Sequence, residues 1–287
     1  MKRWETAFAL MLTIGLFACH GQHDMETSNS VYYWRTDLHL DSTEHTFLQQ
    51  YDIRKFYCRY FDVVINHDAE GPVPNATITF SQSVPKGLEV VPTIYITEDC
   101  MHQWHEGLAQ KLVQRIRQMN ETNDIAGVKE IQIDCDFTAK SRRTYYQFLD
   151  SIRQAWGGTV STTIRLHQLS MEAPPVDYGV LMIYNTGDPQ KFAERNPILD
   201  LRDVLPYLRH LSSYPLPMAA AYPVFSWLRT IHGINILHTV EASEILRVKQ
   251  AIEAERPTLS NAIITYHLDQ ENIKRYKPET YEEIYHH

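Results

Sequence analysis

Residues 128–136 read Val128-Lys129-Glu130-Ile131-Gln132-Ile133-Asp134-Cys135-Asp136. Successive side chains of a strand point to opposite faces. Gln132, Asp134 and Asp136 therefore share one face, and Ile131, Ile133 and Cys135 share the other. In a sheet closed into a barrel, the apolar set faces the outer helices and the polar set faces the lumen. Seven further β-rich runs lie around this one: Val31–Thr36, Phe56–Val64, Leu88–Thr97, Val160–His167, Tyr178–Asn185, Leu216–Phe225 and Asn261–His267. All are rich in Val, Ile, Tyr and Thr, the residues that fit a pleated surface.

The intervals carry helical periods. Asp41 before Glu44 predicts a capped helix running to Tyr51. Trp104, Leu108, Leu112, Ile116 and Met119 form one stripe, and Tyr145, Phe148, Leu149 and Ile152 form another that ends at Gly157-Gly158. Leu201, Leu205, Leu208 and Leu211 suggest a third, with Pro206 as a possible break, and Ile245, Val248 and Ile252 a fourth. Residues 66–85 hold three prolines and no helical period, so the second helix is a loop or a degraded helix. The stretch after the fifth strand is also short. Eight strands alternating with helices predict an α/β fold of the (β/α)₈ TIM-barrel type, a single domain over residues 31–287. The alternative is an open doubly wound sheet, but no glycine-rich phosphate turn follows the first strand.

Composition fits a folded globular chain. Of 287 residues, 44% are hydrophobic and 22% charged, which excludes a disordered or polytopic membrane protein. The formal net charge is -8 and the basic residues are scattered, so no nucleic-acid partner is expected. Lys2 and Arg3 precede an apolar run, Ala7 to Ala18, too short to span a membrane comfortably. Residues 1–18 read as a signal peptide. Leu16-Phe17-Ala18-Cys19 resembles a bacterial lipobox, which implies that residues 19–30 are a lipid-bearing Cys19 followed by a polar tether. Plain secretion or a short uncut anchor is the alternative. Apart from Cys19, three cysteines remain, an odd number that argues against a disulfide framework. Cys58 and Cys135 read as buried apolar residues.

A barrel presents function at the C-terminal ends of its strands. Asp134 and Asp136 lie roughly 6.6 Å apart along their strand, close enough for repulsion to leave an acid beside a base. Arg35, Arg59 and Arg165 stand near strand ends, where inward arginines need acidic partners. Together the five charges predict a network, either a structural plug or a clamp for an acidic substrate. His167, Tyr184, Asn185, Tyr222, Trp227 and His267 also fall near strand ends. Mixed aromatic and polar groups around a barrel mouth suit sugar rings, although such aromatics more commonly serve packing. Cys100, His102, His105 and Glu106 match no metal motif, so neither a metal nor a cofactor is expected.

Gln132-Ile133-Asp134-Cys135-Asp136 resembles the fourth-strand D-x-D-x-E motif of family 18 glycoside hydrolases. Met182-Ile183-Tyr184-Asn185 resembles that family's sixth-strand M-x-Y-D/N. The resemblance implies that Asp136 protonates the glycosidic oxygen, Asp134 orients a substrate N-acetyl group and Tyr184 supports the intermediate. This chain departs from the motif at Gln132, at the shorter Asp136, and at Tyr266-His267 where the family carries tryptophan. The fuller pattern, IQIDCDFTAKSRRTYYQFLDSIR at 131–153 followed by TIRLHQ at 163–168 and PPVDYGVLMIYN at 174–185, looks more like uncharacterised bacterial barrel lipoproteins and, more distantly, resembles the barrel domain of unknown function DUF3142, which implies no established activity. In the lipobox resemblance, His20 after Cys19 implies export to the outer membrane. Three functions remain open: a glycan hydrolase, a non-catalytic glycan-binding envelope protein, and a structural lipoprotein. No oligomeric state is implied.

Overall fold

The computed structural model describes residues 25–66, 68, 71–187, 195–231 and 234–287. Cys19 and the segment read as a signal peptide lie outside them. Eight parallel strands form the sheet: β1 (Ser28–Tyr33), β2 (Ile53–Asn66), β3 (Glu89–Ile96), β4 (Glu130–Asp134), β5 (Thr159–Arg165), β6 (Tyr178–Met182), β7 (Met218–Pro223) and β8 (Ala262–Tyr266). Each pairs with its sequence neighbour. The ring closes because β1 pairs in parallel with both β2 and β8, Val31 lying opposite Phe56 and Thr265. This is a closed (β/α)₈ barrel, with all eight strands where the alternation places them. β1 starts at Ser28, so the last three residues of the expected tether belong to the barrel.

Helices α1 (Ser42–Gln50), α2 (Leu108–Thr122), α3 (Arg142–Trp156), α4 (Leu201–Leu208) and α5 (Ala242–Glu255) cover the outside, and α6 (Gln270–Ile273) and α7 (Pro278–Ile284) end the chain. Asp41 and Glu44 form a reciprocal capping box at α1, each side chain accepting the other's backbone N–H at 2.9 Å. α3 ends at Gly157, whose φ of 76° suits a residue without Cβ. α2 starts only at Leu108, leaving Trp104 exposed with its indole N–H on Glu106. In α4, Val204 and Leu208 are the buried positions, Leu205 faces solvent, and Pro206 is accommodated inside the helix.

Among the described residues, no outer α-helix follows β2 or β5. After β2 the chain turns back as an antiparallel strand, Gly71–Asn75, against the extended end of β2. After β5 a short 3₁₀ turn, Leu166–Ser170, replaces the helix.

The lumen is polar at its floor. Glu130 is buried and accepts from Lys55 Nζ at 2.9 Å, from Ser161 Oγ at 2.7 Å and from the Tyr178 hydroxyl. Tyr178 also shares a 2.7 Å hydrogen bond with Tyr57. One pleat higher, Gln132 accepts from the Tyr32 hydroxyl at 2.7 Å and donates to Ser161. Side chains from five strands thus meet on the polar face of β4. Replacing Glu130 by leucine leaves Lys55, Ser161 and Tyr178 facing an apolar group. Glu130→Leu is expected to cost about 3 kcal/mol or more of stability, read from urea unfolding at neutral pH.

Candidate functional site

Asp134 and Asp136 continue the polar column of β4 toward the C-terminal mouth, as the parity argument requires. Asp134 is buried, with Oδ1 accepting from Thr163 Oγ1 at 2.6 Å and lying 3.8 Å from Arg165 Nη2. No hydrogen bond reaches its Oδ2 among the described residues, and Asp134 lines the mouth cleft. Asp136 is half-exposed and accepts from Arg165 Nε in an ion pair. One guanidinium thus bridges both carboxylates, and the paired acids raise its basicity further.

Burial separates the two acids. It pushes the Asp134 carboxyl up to about 6, with Arg165 opposing the shift and the charge of Asp136 adding to it. The buried member of the pair therefore holds its proton longer than an ordinary aspartate. The histidines at the mouth, His167 and His267, are shifted down by burial, so both are neutral near pH 7.

The mouth cleft encloses about 380 Å³ and is lined by Trp34, Tyr95, Tyr184, Phe225, Trp227 and Tyr266 together with Arg59, Asp62, Asp134, Asp136, Arg165, Asn185 and His267. Tyr184 stacks on Tyr266 with ring centres 4.8 Å apart, and Arg165 lies 5.9 Å from the Tyr184 ring. Phe225 joins Tyr266 to Trp227, and Trp34 packs on Tyr266 from the other side. An adjoining recess of about 250 Å³ shares Asp136, Arg165, Tyr184 and Asn185 and adds His167, Thr186 and Tyr207. Asn185 bends the chain at the boundary with φ of 56°, a conformation asparagine tolerates better than most residues.

The expected five-charge network is divided differently. Arg59 pairs with Asp62 through Nε at 2.7 Å and through Nη2, not with the β4 aspartates. A register shift in β2 between Arg59 and Phe61 places residues of opposite parity on one face. Arg35 is not in the cleft. It follows Tyr33 in parity, turns toward α1, and pairs with Glu44 at 2.6 Å. Tyr222 is fully buried with an unpartnered hydroxyl and also stays out of the cleft. Arg165, Asn185, Tyr184, Trp227 and His267 are brought together, with His167 in the recess.

Trp34, Asp62 and Tyr95 belong to no motif of the sequence, and Tyr266 enters there only as a departure from the family 18 pattern. Trp34 was readable: it shares the strand face of Tyr32 and stands one pleat closer to the mouth. Tyr95 stands opposite Asp134 in the β3–β4 register, and burial beside the two aspartates raises its hydroxyl to about 12.

The loop carrying Asp136 is pinned from both sides. Glu98, after β3, accepts from Thr138 Oγ1 at 2.7 Å and from Ser141 Oγ at 2.8 Å, and these hydroxyls hold its carboxyl below the usual range. Gln168, after β5, donates to the Phe137 carbonyl at 2.9 Å while accepting from the Arg165 N–H at 2.8 Å. His102 turns to Glu98 at 3.2 Å. Among the described residues, no group of three His, Cys, Asp or Glu side chains is placed to hold a metal. Cys58, Cys100 and Cys135 are buried free thiols.

No family model matches the chain, and no curated protein matches it. Solved structures do. A chitinase from Bacteroides thetaiotaomicron covers 91% of this chain and 94% of its own, with 11% identity and a TM-score of 0.61. A GH113 β-1,4-mannanase covers 90% and 98%, with 7% identity and a TM-score of 0.56. A xylanase and amylase inhibitor protein covers 91% and 98%, with 11% identity and a TM-score of 0.54. The chain shares their barrel. At these identities the likeness extends to the fold alone, and fold does not choose among functions.

The shift at Asp134 has a signed consequence for stability. Its folded-state acidity is weakened relative to the unfolded chain, so its stabilising contribution is complete below about pH 4 and is lost as pH rises toward about 6. Asparagine cannot ionise. Asp134→Asn is therefore expected to gain on the parent protein by up to ~3 kcal/mol between about pH 4 and pH 7. Urea midpoints measured at several pH values check this, and parallel stability curves would place the proton elsewhere.

Proposed function

We propose that this protein binds a glycan chain in the mouth cleft and cleaves glycosidic bonds with the Asp134–Asp136 pair. The observation that carries the reading is the pair itself: two carboxylates of unequal burial, bridged by Arg165, at the open end of a barrel walled by aromatic rings. Rings of this kind offer apolar faces to sugar C–H groups, while Asn185, Tyr95 and the carboxylates offer hydrogen bonds to hydroxyls. A chitinase and a mannanase among the structures that share the fold add to the plausibility of carbohydrate as ligand.

The proton belongs on Asp134 in this reading. Strand order favours Asp136 as donor, because it stands nearer the mouth. The charge distribution favours Asp134, where burial retains the proton and where Oδ2 has no hydrogen-bond partner among the described residues. Asp136, held by Arg165, is the charged partner that faces the sugar. The two share one guanidinium. A carboxyl in this role transfers its proton only while protonated, so turnover falls as pH rises through about 6.

A broad glycan screen for product release tests the proposal. With an active substrate in hand, Asp134→Asn and Asp136→Asn are each expected to lower kcat/KM by about 10²-fold or more. Only Asp134→Asn should abolish the fall in activity near pH 6. Near-full turnover by both variants would place the chemistry on other groups. Binding without release of product would favour the non-catalytic glycan-binding reading.

We also propose that the mature protein is held at the bacterial cell envelope, at the outer membrane, by lipid on Cys19. Support comes from Lys2 and Arg3, the apolar run to Ala18, and the sequence around Cys19. Stable anchoring needs two or more acyl chains. No helix among the described residues is long and apolar enough to cross a membrane. Cys19→Ser is expected to leave unprocessed precursor or to release the protein from membranes. Unchanged fractionation and unchanged electrophoretic size would remove the anchor.

A further inference from the structure

The charges lining the cleft constrain which glycans it can take, an argument that rests on the glycan reading above. Among the described residues, two cationic side chains line it, Arg59 and Arg165, against three carboxylates, Asp62, Asp134 and Asp136. Both arginines are already paired with acids. Arg59 is engaged by both oxygens of Asp62 and lies 5.5 Å from the Trp34 ring. Arg165 is shared by Asp134 and Asp136, and its remaining nitrogen, Nη1, is buried and has no hydrogen-bond partner among the described residues.

Among the described residues, the adjoining recess adds no further cation: Leu166, His167, Thr186 and Tyr207 complete its lining, and burial keeps His167 neutral at pH 7. His267 is held neutral in the same way. Outside the lining, Arg35 is committed to Glu44, and Arg275 donates to Oγ of the lining residue Ser226 at 2.8 Å.

An acidic sugar could acquire a counter-ion here only by drawing an arginine away from its aspartate. That would leave a carboxylate unpaired at the base of the cleft, and stranding a buried charge costs more than the new pair returns. The exposed half of Asp136 offers the opposite opportunity. It is the most solvent-accessible charge of the Arg165 cluster, and it stands where the cleft and the recess meet.

We propose that the cleft selects glycans that carry no acid groups, and that a sugar bearing a free amine is held preferentially beside Asp136. A ring lying on the aromatic wall that includes Tyr184 and Tyr266 presents its substituents to the Asp136 edge. An ammonium there gains a charged hydrogen-bond partner that is already oriented by Arg165. The selectivity is electrostatic, so it weakens as salt rises.

The test uses three oligosaccharides of equal length: a fully N-acetylated hexosamine chain, its de-N-acetylated counterpart and a uronic acid chain. Each is titrated calorimetrically into the whole protein at about pH 7, where His167 and His267 are neutral and the sugar amine is still partly protonated, at low and at high salt. The amine-bearing chain is expected to bind about fivefold or more tighter than the acetylated chain at low salt, with the gap closing at high salt. The uronic acid chain is expected to show no measurable binding. Asp136→Asn is expected to bring the ratio between the first two close to unity. Equal binding of the acidic chain overturns the proposal, as does an amine-to-acetyl ratio near one at low salt. Failure of all three to bind removes the glycan reading itself and this inference with it.

Discussion

A charge enclosed by a barrel must find a partner inside the barrel, and this requirement organises the molecule from floor to mouth. β4 carries its polar residues in a single column. Each member draws neighbours toward it: Lys55 and Tyr178 to Glu130, Tyr32 and Ser161 to Gln132, Thr163 and Arg165 to Asp134. The strands supplying these groups are the ones that must curve around to reach β4. Closure of the sheet and satisfaction of the column are one condition. At the floor the column is complete and serves the fold. At the mouth it meets solvent, and the same pairing of acid with arginine becomes a place where a ligand can enter.

The eight strands were legible because period-two alternation of branched and aromatic residues is a local signal. The column on β4 was legible for the same reason, since one apolar set, Ile131, Ile133 and Cys135, fixed which face turned inward. The partnerships of the arginines were not. Arg59 meets Asp62 because β2 shifts register beside it, and no period-two pattern announces such a shift. Arg35 could have been read from parity with Tyr33, but proximity to a strand end outweighed parity. Tyr266 looked like the loss of a tryptophan, whereas in space it is the central ring of the cleft wall, touching Tyr32, Trp34, Tyr184 and Phe225. Which rings meet across a barrel depends on stagger between distant strands, and that is set only on closure.

The connections after β2 and β5 tell a related story. The three prolines after β2 exclude a helix locally, yet nothing local says that the chain will return as an antiparallel strand. The partner is the overlong end of β2 itself, which would otherwise present an unpaired edge beyond the barrel.

The hydrogen bonds that tie down the loop after β4 have an entropic meaning. Glu98 and Gln168 reach it from the two flanking connections, so its backbone freedom is surrendered when the protein folds. A ligand arriving at Asp136 then has little ordering left to impose on that side of the cleft. Its contacts go toward affinity rather than toward immobilising a loop. Connections that look peripheral to the chemistry thus determine how rigid a surface the incoming molecule meets.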